Sequence, residues 1–73
     1  MTINYDPRAD ALYIKLADGE FAENREPVEG LVLDVGAGGE ILGIEILHAS
    51  RRYAFSDLSQ VNVQLNIPAQ TTA

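Results

Sequence analysis

The sequence predicts a small domain that is mainly β with a short helix (α+β): an antiparallel β-meander, a helix after the fifth strand, and a further C-terminal strand. Three observations carry that reading. Apolar residues alternate with period two in "ALYIKL", "LVLDV", "ILGIEIL" and "QVNVQLNIP", the spacing that lines one face of a strand. Turn-forming residues separate these runs at Asp6-Pro7, Asp18-Gly19, Glu29-Gly30 and the glycine-rich stretch 36–39. The alternation breaks only once, over residues 49–59. A chain of 73 residues is one domain, taken as residues 1–68 with residues 69–73 as a disordered tail.

The first strand is short, from Thr2 to Tyr5. In the turn that follows, Asp6 is placed to accept from amides just ahead of it, and Pro7 presets φ. Residues 11–16 put Leu12, Ile14 and Leu16 on one face and Ala11, Tyr13 and Lys15 on the other. Asp18-Gly19 tolerates the positive φ of tight hairpin turns and predicts a hairpin into residues 20–28. That run is polar, and Pro27 has no amide for a ladder, which marks a strand end or a sheet edge. Residues 31–35 and 41–47 flank a five-residue loop, so they form an antiparallel pair. Leu42, Ile44 and Ile46 share one face of the last strand, with Ile41, Gly43, Glu45 and Leu47 opposite. Apolar groups on both faces require a cover from a helix or a second subunit.

Over residues 49–59 apolar positions recur near helical spacing, which predicts one short helix or two turns, with Ser56-Asp57 capping the second. Residues 60–68 then alternate again, Val61, Val63, Leu65 and Ile67 against Asn62, Gln64 and Asn66, with no charge. Such a strand joins a sheet edge or builds an interface.

A hydrophobic fraction of 47% is high for a chain this short, whose surface is large for its volume. There is no cysteine to staple the fold or to bind metal as thiolate, and a single histidine argues against a zinc site. The missing support is expected from homo-oligomerisation, a dimer being the simplest form, or from a protein partner. Eleven acidic against five basic residues give a net charge of -6, and ten of the acidic groups lie in residues 1–47. That sign repels phosphate backbones, and Arg51-Arg52 is too short a basic run to reverse it, so no nucleic-acid binding is expected. No apolar run reaches the roughly 18 residues of a membrane span, and the N-terminus lacks a basic leader and apolar core. No membrane association is expected, and the cytoplasm is the expected location.

Chemistry-bearing residues are few. Asp6, Asp10, Asp18 and Glu20 match no calcium-loop spacing, and roles as turn acceptors explain them without a metal. "GAGG" leads into a strand and is followed by no lysine, unlike a phosphate-cradling loop. Histidine is the side chain whose unperturbed charge change lies near neutrality, and His48 would work with Glu45 only if the chain bends at Leu47, because residues three apart on a strand face opposite ways. Asp34 is expected on a strand beside Glu45, where facing carboxylates would raise one pKa. Asp34, Glu45 and His48 are therefore the weak catalytic candidates; no cofactor-binding or metal-binding residues and no cofactor are expected. Arg51 and Arg52 are expected to pair with acidic groups of the sheet, and the five aromatic residues suit a core edge or an interface.

Two blocks, "YDPRADALYIKLADG" (residues 5–19) and "GLVLDVGAGGEILGIEILHAS" (residues 30–50), resemble a family of small bacterial and cyanobacterial proteins, domain of unknown function 2283. The resemblance rests on Tyr5-Asp6, Asp10-Ala11, Tyr13-Ile14, Gly30 to Asp34, and Gly43 to Ser50, and covers roughly residues 3–52. The loop "GAGG" departs from the more acidic turn common there. The resemblance implies a compact β-meander domain of uncharacterised function and brings no catalytic assignment. The expected function is a non-enzymatic module that self-associates or binds a protein. The alternative is a small enzyme or ligand-binding domain whose site, built on Asp34, Glu45 and His48, lies between subunits.

Overall fold

Asp6 closes the first hairpin as its position in the turn requires: its Oδ1 accepts from the amides of Arg8 at 2.9 Å and Ala9 at 3.4 Å. The computed structural model describes residues 1–68. Strands β1 (Thr2–Asp6) and β2 (Ala11–Lys15) pair antiparallel in unbroken register, Thr2 opposite Lys15 and Asp6 opposite Ala11.

The Asp18-Gly19 pair does not make the expected hairpin. Leu16 and Ala17 instead donate to the Leu42 carbonyl at 2.8 and 3.2 Å, and Ala37 donates to Glu20 at 2.8 Å. The chain thus runs past the ends of two other strands before β3 (Phe21–Val28) begins at the far edge of the sheet. Asp18 is engaged by Lys15 at 2.7 Å, and Gly19 passes close to Leu42, whose Cδ2 would lie 2.7 Å from a Cβ there and would have to move. Turn-forming chemistry serves a crossing here as well as it would serve a hairpin.

β3, β4 (Leu31–Gly36) and β5 (Ile41–Leu47) are consecutive antiparallel neighbours, and β5 also pairs with β2. The order is β1-β2-β5-β4-β3, a single antiparallel five-stranded sheet in which two sequential hairpin systems join through β2 and β5. The mainly β, α+β character read from the sequence is what the protein has. β3 is an edge strand, one of the two placements Pro27 marks, and its ladder is irregular between Phe21 and Glu23 and between Arg25 and Val28.

The register sorts the side chains into two faces, because directly paired residues project on the same side. Ile3, Ile14, Ile44 and Leu33 form one row and Tyr5, Leu12, Ile46 and Leu31 the next. The opposite face carries Asn4, Tyr13, Glu45 and Val32, with Gly43 and Asp34 adjacent. A β-bulge interrupts β5: Asp34 pairs with Gly43 and Val35 with Ile41, leaving Leu42 unpaired. Leu42 therefore joins Tyr13 and Asp34 around one hollow instead of lying with Ile44 and Ile46 as strict alternation would have it.

After β5 come two helices of four residues each, α1 (Ala49–Arg52) and α2 (Phe55–Leu58). Ser56 and Asp57 lie inside α2 instead of capping it; the N-cap is Ala54, with no side-chain cap. The further C-terminal strand is absent: residues 60–68 form no strand, and Val61, Val63, Leu65 and Ile67 are exposed. Alternation supplied the side chains of a strand, but no edge of this protomer supplies its ladder. The expected disordered tail, residues 69–73, lies outside the described residues.

The interior is thin. The buried apolar residues are Ala11, Val35, Leu42 and Ala49, and no large side chain among the described residues is fully buried.

Candidate functional site

Tyr13, Asp34 and Gly43 meet on three adjacent strands. Tyr13 projects from β2 over Gly43 of β5, where a Cβ would lie 2.8 Å from the tyrosine Cζ and 3.1 Å from Cε1. The glycine lets the ring lie flat across the strand, and the phenol then reaches β4, donating to Asp34 Oδ2 at 2.9 Å. That hydrogen bond, with burial and the charges of Asp34 and Glu45 adding to it, raises the Tyr13 pKa above its ordinary value. The phenol is therefore protonated at neutral pH and acts as a donor, with the carboxylate as its acceptor.

Glu45 stands directly beside Tyr13 on one side and Val32 on the other. Asp34 and Glu45 thus share the polar face, as expected for neighbouring strands. His48 is not with them. It follows β5 in the left-handed region at φ 56, exposed at the start of α1, and makes no ion pair with Glu45. The bend after Leu47 does occur, and it carries the imidazole off the sheet face. The three sequence candidates therefore form no single constellation.

A second polar cluster, which sequence reasoning passed over, ties the corner where the β1–β2 turn meets the end of β5. Asp10 Oδ1 accepts from Tyr5 Oη at 2.7 Å and from the Ser50 amide at 2.9 Å, and its Oδ2 accepts from Ser50 Oγ at 2.7 Å. The Ala49 amide donates to the Asp10 carbonyl at 2.9 Å, and Ala49 is fully buried. The two non-glycine residues of positive φ, Asp10 and His48, sit on either side of this corner, their backbone strain held by these bonds. Hydrogen bonds from Tyr5 and Ser50, with the nearby charge of His48, lower the Asp10 pKa; the bond to Asp10 raises that of Tyr5. The signal was available: the resemblance paired Tyr5 and Asp10 in one block with Ala49-Ser50 in the other.

The remaining sequence candidates separate. Asp6 and Asp10 lie before β2, Asp18 and Glu20 beyond its other end, a strand length of roughly 16 Å away. Among the described residues no group of three or more His, Cys, Asp or Glu side chains is placed to hold a metal ion. Among the described residues Arg52 pairs with no carboxylate; it donates to the carbonyls of Glu29 at 2.7 Å and Leu47 at 3.2 Å, clamping the turn before β4 to the end of β5. Carbonyls at converging strand ends offer the guanidinium a fixed target that exposed acidic side chains do not.

The larger cleft, about 340 Å³, lies on the apolar face between Ile3, Leu12, Ile14 and Ile46 below and Tyr53, Leu58 and Val61 above. No helix among the described residues is long and apolar enough to cross a membrane.

No match was found among curated proteins or among solved structures. Residues 2–50 match the model of a family described as protein of unknown function (DUF2283). The match holds all five strands, the Tyr13–Asp34–Gly43 crossing and every residue of the Asp10 corner. It spans more than half of the chain, and the chain belongs to the DUF2283 family.

Proposed function

We propose that this protein is a non-enzymatic self-association module, and that a second copy covers the apolar face of its sheet. One observation carries the reading: the sheet is a single layer with no fully buried large side chain among the described residues. A sheet with one apolar face is stable only when that face packs against a second layer. Here Ile3, Leu12, Ile14, Leu31, Leu33, Ile44 and Ile46 line that face, and the segment after β5 covers it only in part, Tyr53, Leu58 and Val61 walling a cleft over Ile3, Leu12, Ile14 and Ile46. Ile3 is 43% exposed, and the other six are all only half-buried. Contiguous apolar surface of this kind marks an interaction face. Two such faces stacked about 10 Å apart make the two-layer sandwich that the isolated chain lacks.

The polar face favours a structural role over catalysis. Tyr13 and Asp34 satisfy one another, the Asp10 carboxylate beside Ser50 Oγ is already engaged by Tyr5 and the Ser50 amide at the sheet corner, and His48 lies outside the sheet.

Sedimentation equilibrium across micromolar concentrations tests the proposal. The expected result is a species of twice the chain mass, reduced to the chain mass by Ile44→Asp at the centre of the face, with the sheet signal in circular dichroism monitored alongside. A wild-type chain that stays monomeric at every concentration would refute the reading.

A further inference from the structure

The two edges of the sheet differ. β3 carries Glu23, Arg25, Glu26 and Pro27 and pairs irregularly even with β4, features that discourage further pairing. β1 has an unbroken register with β2, contains no proline, and carries no charge before Asp6. Among the described residues no strand pairs with its outer backbone groups.

Residues 61–67 have what that edge would accept. They hold no charge and no proline, and they alternate Val61, Val63, Leu65 and Ile67 with Asn62, Gln64 and Asn66. The apolar set is 62–73% exposed, so the protomer leaves four strand-forming side chains in water. The alternation also suits the sheet: added beside β1, it would extend the apolar face with one set and the polar face with the other.

The level at which the segment leaves the body decides which edge it reaches. Val61 and Asn62 form the upper wall of the cleft whose floor is Ile3, Leu12, Ile14 and Ile46. The segment therefore starts in the layer above the apolar face, not in the plane of its own sheet. In a dimer stacked through the part of the face these residues leave open, that layer continues into the plane of the other copy's sheet, about 10 Å away.

We propose that residues 61–67 of one copy add a sixth strand to the β1 edge of a second copy, so that two reciprocal arms lock the dimer. The proposal rests on the self-association reading above, and it names the segment and the edge that hold the pair together. Pro68 ends the arm because it has no amide to continue the ladder.

The cysteine-free sequence permits a direct test in the full chain. Asn4, central in β1, and Gln64, central in the arm, would share the polar face whichever way the arm runs. The Asn4→Cys/Gln64→Cys double variant is treated with a short bis-maleimide and examined on a denaturing gel. Covalent dimers, absent with either single variant, are expected; chains bridged only internally, or not bridged at all, overturn arm exchange. In parallel, Val63→Asp/Leu65→Asp should raise the dimer dissociation constant by at least on the order of 100-fold, since each of the two arms loses two buried apolar side chains. Both residues are exposed in the protomer, so its fold should not depend on them. A dimer of unchanged affinity in that variant overturns the arm while leaving the stacked faces standing. A monomeric wild-type chain overturns both readings.

Discussion

Replacing Gly43 by alanine puts a methyl group where the Tyr13 ring lies, with Cζ at 2.8 Å and Cε1 at 3.1 Å from the new carbon. Carbon atoms prefer separations of about 3.5–4.0 Å, so the ring must retreat by nearly 1 Å. The methyl belongs to the backbone of a central strand and cannot give way, whereas the tyrosine can rotate. Its phenol then leaves Asp34, whose Oδ2 it now meets at 2.9 Å. Overpacking of this kind costs about 1–3 kcal/mol, and a hydrogen bond to a charged acceptor about 1.5–3 kcal/mol, here nearer the low end because the site is half-exposed. Against this, replacing glycine within a strand returns about 0.5–1 kcal/mol of backbone entropy. The net expectation is a loss of about 2–3 kcal/mol.

Urea unfolding at fixed protein concentration measures that loss, and a double-mutant cycle identifies its source. In a Tyr13→Ala background the methyl meets open space, so Gly43→Ala should become neutral or stabilise by about 0.5 kcal/mol. The coupling between the two positions is then about 2 kcal/mol or more. Equal costs of Gly43→Ala in the two backgrounds would refute the reasoning, since the glycine would then answer to something other than the ring.

Three further outcomes are expected. Asp10 has a lowered pKa in the folded state, so its contribution to stability is present above the unfolded carboxyl value of about 3.9 and is lost as pH falls toward the folded value. Asp10→Asn should therefore lower the thermal midpoint at pH 7, with the gap from wild type closing in acid; a gap independent of pH would contradict the assignment. Asp34→Asn removes the acceptor charge that raises the Tyr13 pKa, so one tyrosine should ionise at lower pH in a spectrophotometric titration. Gly30 has φ +85, and a Cβ there would lie 3.0 Å from Arg52 Cζ, so Gly30→Ala should cost at least about 1–2 kcal/mol in urea unfolding. An unchanged midpoint would show that the Arg52 clamp and the turn yield without strain.

The strands were legible because a period of two is imposed by backbone geometry and survives in the residues themselves, as in Leu12, Ile14 and Leu31, Leu33. Their order was not. Asp18-Gly19 has the chemistry of a hairpin, and only the hydrogen bonds of Leu16 and Ala17 to Leu42 reveal a crossing. The bulge at Leu42 inserts one residue that alternation cannot announce, which is why that side chain changed faces. Asp34 and Glu45 were readable as neighbours because facing strands follow from a short loop. His48 was not, because a single left-handed residue decides where its ring goes. Residues 60–68 have the pattern of a strand without a partner in their own chain, and a pattern cannot say whose edge it is meant for.

The two sequence blocks that carry the family resemblance meet in space at two points. Asp10 of the first holds Ser50 of the second, and Tyr13 of the first spans Gly43 to reach Asp34. Both contacts tie separate parts of the chain together: the first closes the corner of the sheet, where Asp10 also accepts from Tyr5, and the second crosses three strands. The family match ends at residue 50, ahead of the arm. The sheet with its open apolar face therefore lies inside the matched region, whereas residues 61–67 lie outside it. The proposed stacking draws only on residues of the matched region, and the proposed arm exchange on the additional C-terminal sequence. A chain with the same five strands and no alternating extension should then still pair through its sheet face, but more weakly, since only the stacked faces would hold it.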